Sequence, residues 1–285
     1  MVAKFWKTLR RLFYLWGVYA RIDAGWFLRD TKICLLNIVT DLISNVSAIT
    51  GVLLLSERFG GIGGMSRPEI LLMLGYSMLV EGVFLLFLMM NNVGHISRRM
   101  GRGQLDHMLL QPVPIWMQLI TDGFIPVSGS SMLLCGAGIT AWAVQRLALA
   151  VTPLWLAALA LGVLCSVAVM LGFSYVASAV AFYAPVAGEE ISTTTFDLFS
   201  TTRMYPLGGM AQGVQVALCT VLPVGMAAWF PASVLLGRAP AGLPAVLLVA
   251  AAVGFMTIAT LLFKKGLKHY ATTGSVRYHD RGFRR

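Results

Sequence analysis

Apolar stretches of about 20 residues or more, separated by short polar segments, constrain the fold of this chain more than any other feature. A helix rises about 1.5 Å per residue, so such a stretch can cross the roughly 30 Å hydrocarbon layer of a bilayer. Only 12% of the residues are charged, about half the share of a typical soluble protein. Lipid must therefore solvate most of the chain, and the sequence predicts an all-α polytopic membrane protein with about six transmembrane helices. The predicted spans are 33–55, 70–90, 115–144, 154–183, 208–229 and 243–263.

The N-terminal segment differs from the spans because basic and aromatic residues alternate along it. Phe13 and Trp16 share one helical segment with Lys7 and Arg10, a pattern typical of an amphipathic helix that lies in the membrane interface. A first transmembrane span is the weaker interpretation, because Arg10 and Arg11 would each cost about 2.5 kcal/mol or more at the bilayer centre. The predicted organisation is an amphipathic interfacial helix at 1–32, a transmembrane domain at 33–264 and a basic cytoplasmic tail at 265–285.

Three segments depart from simple spans. Pro126, flanked by glycines, predicts a kink or break in the third span. The segment 230–237 is apolar but too short to cross, which fits a short re-entrant or interfacial piece on the outer side before the last helix. The polar segment 185–206, which ends near Arg203, is predicted to be an amphipathic helix at the inner surface.

The distribution of lysine and arginine predicts the orientation of the chain. If the N-terminus is inside, 18 of the 22 Lys and Arg residues, Arg203 among them, fall on the inner side. The outer segments then hold Arg58, Arg67, Arg146 and Arg238. By the positive-inside rule both termini are therefore predicted to be cytoplasmic.

The arginine-rich loop (96–114), which follows the second span, is the longest polar interruption. Leu105, Met108 and Leu109 recur at helical spacing and predict a short amphipathic helix that ends before Pro112. These apolar residues would fill a groove of a cytoplasmic partner, and the charged residues would set the orientation at the rim. An ordinary basic inner turn is the alternative. The polar and turn-forming residues of the loop are Arg98, Arg99, Arg102, Gly103, Asp106 and Pro112.

Ionisable and amide side chains also occur inside the predicted spans. Asn37, Asp41 and Asn45 lie four residues apart on one face of the first span, Glu81 lies near the middle of the second, and Asp122 lies in the third. An ionisable group in a span faces protein or a water-filled path rather than lipid. These residues are candidates for a translocation path, and hydrogen-bonded helix contacts without a transport role are the alternative.

Two motifs carry a resemblance to a known family. The arginine-rich loop reads Gly103-x-Leu105-Asp106-x-x-Leu109-x-x-Pro112, and the chain after the last span reads Gly266-Leu267-x-x-Tyr270-x-x-x-Gly274. With the basic N-terminal helix and about six spans, the chain resembles the permease (transmembrane) subunit of a bacterial ABC transporter of the type-2 export class. The resemblance implies a location in the bacterial cytoplasmic membrane and a coupling helix in the loop, seated in a cleft of a separate ABC ATPase subunit. It also implies a second permease subunit, related or identical, and ATP and Mg²⁺ bound by the ATPase rather than by this chain.

Other functions are less consistent with the residues. The sequence has no Gly-x-x-x-x-Gly-Lys-Ser/Thr phosphate loop, so the chain is not expected to hydrolyse ATP or to act as an enzyme. Its cysteines and histidines lack metal-ligand spacing, so no metal is expected, and its basic residues border apolar blocks, which indicates lipid rather than nucleic acid. An ion-coupled secondary transporter that uses Asp41 and Glu81 is the main alternative, although such proteins usually show an internal repeat. A membrane-embedded enzyme is the other.

Overall fold

The structure is a computed structural model that describes residues 2–101, 103–238 and 242–274. These residues form helices and turns without a β-strand, so the predicted all-α fold is confirmed. The helices are α1 (Val2–Arg29), α2 (Thr31–Arg58), α3 (Arg67–Leu88), α4 (Val93–Gly101), α5 (Gln104–Leu110), α6 (Ile115–Thr121), α7 (Ser130–Arg146), α8 (Pro153–Ser178), α9 (Pro185–Thr202), α10 (Gln212–Thr220), α11 (Phe230–Leu235) and α12 (Gly242–Thr273). Short 3₁₀ segments follow α3 and α8, and a π-helical turn, Gly225–Trp229, precedes α11.

Several helices have the length and composition of membrane spans. Within the described part of the chain, four segments are long and apolar enough to cross, and a bent pair makes a fifth if it is counted as one span. The four are Thr31–Arg58, Arg67–Met100, Pro153–Phe182 and Leu243–Thr273. The prediction of a membrane protein with several apolar helices is therefore confirmed.

The helices form a bundle whose two ends can be told apart by the turns they carry. The arginine-rich loop, which includes the second half of α4 and the whole of α5, lies at one end, which we call the loop end. The turn 59–66, which joins α2 to α3, lies at the other end, which we call the far end. The 22 residues of α3 span about 33 Å between these ends.

Helix α9 runs from the loop end towards the far end, so the predicted surface helix at 185–206 is wrong. Near its start, the Ser192 hydroxyl lies 2.6 Å from the Ser97 hydroxyl of α4. Arg203, directly after its last residue, contacts the middle of α3, and the backbone of Gly208 then lies against that of Gly63 in the far-end turn. The polar composition of α9 is typical of a surface helix, but the structure packs α9 on α4 and α8, with Phe199 buried against Phe173 of α8.

The segment 212–235 bends back on itself, so the predicted fifth span at 208–229 is also wrong. Its two halves, α10 and the stretch Gly225–Leu235, meet at 83°. The chain enters the segment at the far end and leaves it there, because Arg238 Nη2 lies 2.6 Å from the Glu69 carboxylate at the start of α3. Between these points the Met226 carbonyl accepts a 3.0 Å hydrogen bond from Ser166, halfway along α8. The segment therefore has the course of a re-entrant loop, longer than the one predicted at 230–237, and we call it the re-entrant pair (212–235).

The predicted break in the third span is confirmed and is held by α1. The chain between α6 and α7 is irregular around Pro126. The buried Asp23 carboxylate of α1 accepts hydrogen bonds from the backbone N–H groups of Val127 (2.8 Å) and Ser128 (3.2 Å), and from the Ser128 hydroxyl. Trp16 of α1 packs on Phe124 in the same region. A carboxylate thus satisfies the N–H groups that the break leaves without helical partners.

Close packing of α3 against α7 forms the centre of the bundle. Glycines bring the two backbones together: a Cβ on Gly136 would lie 2.6 Å from the Leu79 nitrogen, and one on Gly82 would lie 2.5 Å from the Leu133 nitrogen. Small residues at such contacts allow the dispersion interactions that drive helix association in lipid.

We expect Gly136→Val to destabilise the bundle by about 1–3 kcal/mol, because the added atoms would overlap the α3 backbone. The matched control is Gly138→Val in the same helix, where a Cβ meets nothing within 4 Å. Thermal unfolding of the purified protein in detergent checks this prediction. Equal midpoints for the two variants would contradict the packing described above.

Candidate functional site

The arginine-rich loop contains the predicted short helix, α5 (Gln104–Leu110). Gly103 precedes it with φ +72°, a left-handed conformation that favours glycine, and Gln111 ends it in an extended conformation. The next helix begins directly after Pro114. The prediction of a helix that ends before Pro112 is therefore confirmed.

One face of α5 is buried in the chain's own core. Leu105 is only 2% exposed, so its predicted role as a side chain that fills a partner's groove does not fit the structure. It belongs to a buried set that we call the anchor cluster, with Met108 packed at its edge. The anchor cluster consists of Ile96, Met100, Leu105, Ala181, Phe182 and Tyr270.

The second sequence motif meets the first in the anchor cluster. Gly266 lies so close to the Phe182 ring that a Cβ there would be 2.1 Å from a ring carbon, and Tyr270 packs on the edge of the same ring. Gly274 follows the helix with φ +66° and donates a 2.8 Å hydrogen bond to the Tyr270 carbonyl, the ordinary way for a helix to end at glycine. The two motifs therefore meet in a single contact between the loop and α12. Helix α12 continues to Thr273, past the predicted end of the span at 263.

The rest of the α5 surface is open. Leu110 is 84% exposed and Leu109 is 46% exposed, and Asp106 and His107 are exposed beside them. The sequence prediction included Leu109 and Asp106 but missed Leu110. Helical spacing does place Leu110 on a different face from Leu105 and Met108, but it does not say which face is buried.

Polar contacts fix the second half of the loop. Arg11 of α1 donates a 3.1 Å hydrogen bond to the Pro112 carbonyl. Gln118 of α6 donates to the carbonyls of Met108 (2.8 Å) and Val113 (2.7 Å). Sequence reasoning missed Arg11 and Gln118, because donors to backbone carbonyls leave no spacing pattern.

Arg99 and Asp122 were predicted to have separate roles, one at a partner's rim and one in a path, and the structure joins them. The Arg99 side chain is buried and donates to the Asp122 carboxylate at the break of the third span. Tyr19 of α1 lies nearby, and burial together with the negative charge of Asp122 raises the pKa of its phenol. Arg99 is thus a bond between α4 and the third span rather than a rim residue. Arg98 is exposed, and Arg102 lies outside the described residues.

Glu81 also has a partner that the sequence did not indicate. The buried Arg203, at the end of α9, donates to the Glu81 carboxylate of α3 and, at 3.5 Å, to the Ser77 carbonyl. The expected position of Arg203 at the inner surface is therefore wrong. A buried cation needs such a partner, and the carbonyls at the end of a helix favour it further.

The polar face of α2 takes part in neither ion pair, although Asp41 lies close enough to Glu81 for the two carboxylates to repel each other. Asp41 and Asn45 line a cavity of about 240 Å³ with Ser131 and Cys135 of α7. Asn37 lies on the same helix face outside the cavity. The structure thus brings together two of the predicted path residues and separates them from Asp122, which lies at the loop end.

Truncation of Leu105 should destabilise the protein, and truncation of Leu110 should not. Because Leu105 is buried, we expect Leu105→Ala to cost about 2–5 kcal/mol. Leu110→Ala is the matched control on the same helix, with an expected change within about 0.5 kcal/mol. Thermal unfolding of both variants in detergent checks the assignment, and a larger effect at Leu110 would contradict the observed face of α5.

Loss of the Glu81 charge should leave Arg203 buried without its anion. We expect Glu81→Gln to destabilise the protein by about 3–5 kcal/mol, whereas Asp41→Asn on the exposed face of α2 should leave the unfolding temperature unchanged. The double variant with Glu81→Leu and Arg203→Met should recover much of the loss, because both charges are removed together. A stable Glu81→Gln protein would show that the pair does not hold α9 on α3.

A comparison with family models identifies the family of the chain. A family described as "ABC-2 family transporter protein" matches residues 42–274. Comparison with curated proteins and with solved structures gave no match. The matched range includes α3 to α12, and with them the arginine-rich loop, the anchor cluster and the re-entrant pair. The chain therefore belongs to the ABC-2 transporter family, as a permease subunit of the membrane.

Proposed function

We propose that this chain is the transmembrane subunit of an ATP-driven exporter. A separate ATPase binds its arginine-rich loop and drives its conformational changes. The observation that supports this most directly is the two-sided character of α5. Leu105 faces the anchor cluster, while Leu109 and Leu110 are exposed to a partner. Exposed leucines on a short, fixed helix are suited to a hydrophobic groove with a charged rim.

The contacts of α5 provide a route for force into the bundle. Leu105 joins it to α8 and α12 through the anchor cluster. Arg99 joins the preceding helix to the third span, and Arg11 joins the end of the loop to α1. A displacement of α5 would therefore move several helices together, because packed interiors transmit strain rather than absorb it.

We further propose that six segments cross the membrane, with both termini in the cytoplasm. They are α2, α3, the broken helix made of α6 and α7, α8, α9 and α12, while the re-entrant pair dips in from the outer side. The course of α9 from the loop end to the far end supports this assignment. If Arg203 is counted within a span rather than at the inner surface, the inner segments still hold far more lysine and arginine than the outer segments.

A second permease subunit is part of the proposal. Asp41 of α2 is exposed and Asn45 is half-buried, and α9 exposes Thr194 and Asp197. Carboxylates at membrane depth do not face lipid, so these surfaces need a protein partner or a water-filled path. A path between two such subunits, lined by α2 and α9, would satisfy both helices. The second subunit can be a copy of this chain or a related permease.

The remaining parts of the proposal concern energy. ATP and Mg²⁺ are expected on the partner, because this chain has no phosphate-binding loop, and the chain itself is not expected to catalyse a reaction. An ion-coupled secondary transporter is less well supported, because Glu81 is engaged by Arg203 and is not a free carboxylate for an ion site. The expected location is the bacterial cytoplasmic membrane.

Substitution of the exposed leucines tests the proposal. We expect Leu110→Arg with Leu109→Arg to abolish copurification of the ATPase and to reduce export more than tenfold, while the purified permease keeps its unfolding temperature. Val151→Arg, at an exposed far-end position, is the control and should retain the ATPase. Undiminished association in the doubly substituted protein would overturn the assignment of α5 as the coupling helix.

A further inference from the structure

An apolar cavity near the loop end is separate from the proposed path. It has a volume of about 400 Å³ and lies between α6, α8 and α12. Leu119, Leu171 and Phe263 form its walls, and Trp116 stands at its edge, 47% exposed. In a membrane such a cavity is open to lipid and not to bulk water, so an apolar occupant is favoured there.

The cavity continues along α12 as a groove. A shallower cavity of about 430 Å³ shares Met256 and Thr260 with the first and extends to Ala252. From Ala252 to Leu267 the helix rises about 22 Å at about 1.5 Å per residue. This exceeds the depth of one leaflet, about 15 Å or half of the hydrocarbon layer, so an extended acyl chain fits along the groove.

The polar groups inside the cavity are already satisfied. Tyr175 donates a 2.6 Å hydrogen bond to the Asn91 side chain, which in turn donates to the Leu119 carbonyl at 2.7 Å. Lys264 also lines the cavity, at the loop end of the groove, and Lys265 and Lys268 follow on the same helix. Of the described residues that line the cavity, none is acidic. The occupant that matches this distribution has a long apolar part and a single anionic end.

We propose that this groove binds an anionic phospholipid, with one acyl chain along α12 and the phosphate on Lys264. Basic residues at the mouth of an interhelical cavity are a recognised way to bind acidic headgroups, and an interfacial tryptophan favours the same depth. The proposal goes beyond the transport function, since it needs only the membrane location of the chain.

The position of the groove gives the bound lipid a structural effect. Phe263 and Leu267 line the cavity and also pack against the anchor cluster, and so does Ile115 at the start of α6. A lipid in the groove therefore contacts α6 and α12 on both sides of the anchor cluster, which holds the arginine-rich loop. Lipid binding stabilises these contacts by the ordinary linkage between ligand binding and folding.

Native mass spectrometry of the full chain, with added lipids of identical acyl chains, tests the proposal. We expect one phosphatidylglycerol to be retained per chain in preference to phosphatidylcholine. Lys264→Gln should weaken its retention about fivefold, as expected for one lysine at an anionic surface. Lys265→Gln, one residue further along α12 and outside the cavity lining, is the matched control and should retain the lipid. Equal retention of the two lipids, or equal loss in the two variants, would overturn the headgroup assignment.

A second pair of variants tests the groove itself. Thr260→Trp fills it and should abolish lipid retention, whereas Ile258→Trp, on an exposed face outside both cavities, should not. Unfolding temperatures in lipid-free detergent verify that both variants are folded. If Thr260→Trp removed a dimer mass and left lipid retention unchanged, a second copy of the chain would occupy the groove, and the lipid proposal would be wrong.

Discussion

The need to satisfy polar groups away from water determines the irregular parts of this structure. A helix satisfies its own backbone, but a break inside the membrane does not. At the break between α6 and α7, Asp23 accepts two backbone N–H groups, and Asp122 binds the buried Arg99. At the end of α9, Arg203 binds Glu81. Charged residues from other helices therefore hold the break in the third span and the end of α9.

These interactions also explain why the arginine-rich loop is more than a connection. The loop is fixed on one side by apolar contacts of Leu105 and on the other by hydrogen bonds from Arg11 and Gln118. The motif around Tyr270 is distant in sequence, but Tyr270 belongs to the same anchor cluster as Leu105. A loop that is attached to α1, α4, α8 and α12 can transmit a displacement to these helices, because packed interiors deform little.

The proposed path and the proposed lipid site are on separate helices. The exposed polar residues lie on α2 and α9, where a second subunit would cover them. The apolar groove lies along α12, where lipid itself is the partner that its chemistry matches. The two proposals thus assign three different surfaces of this chain: α5 to the ATPase, α2 and α9 to a second permease, and α12 to lipid.

The sequence by itself determined the class of the protein, most of its spans, the short helix in the loop and the family. These follow from local patterns, namely apolar length, helical spacing and the two motifs. Tertiary structure alone decided that Leu105 points inward and Leu110 outward, because a seven-residue helix with apolar residues on both faces has no preferred side until it is packed. It also decided that α9 packs on α4 and α8 and ends beside the middle of α3, while 212–235 turns back. Hydropathy measures transfer from water to lipid, whereas contacts with protein determine the course of both segments. For α9 these are the Ser192–Ser97 and Arg203–Glu81 pairs. For the re-entrant pair it is the Ser166–Met226 hydrogen bond.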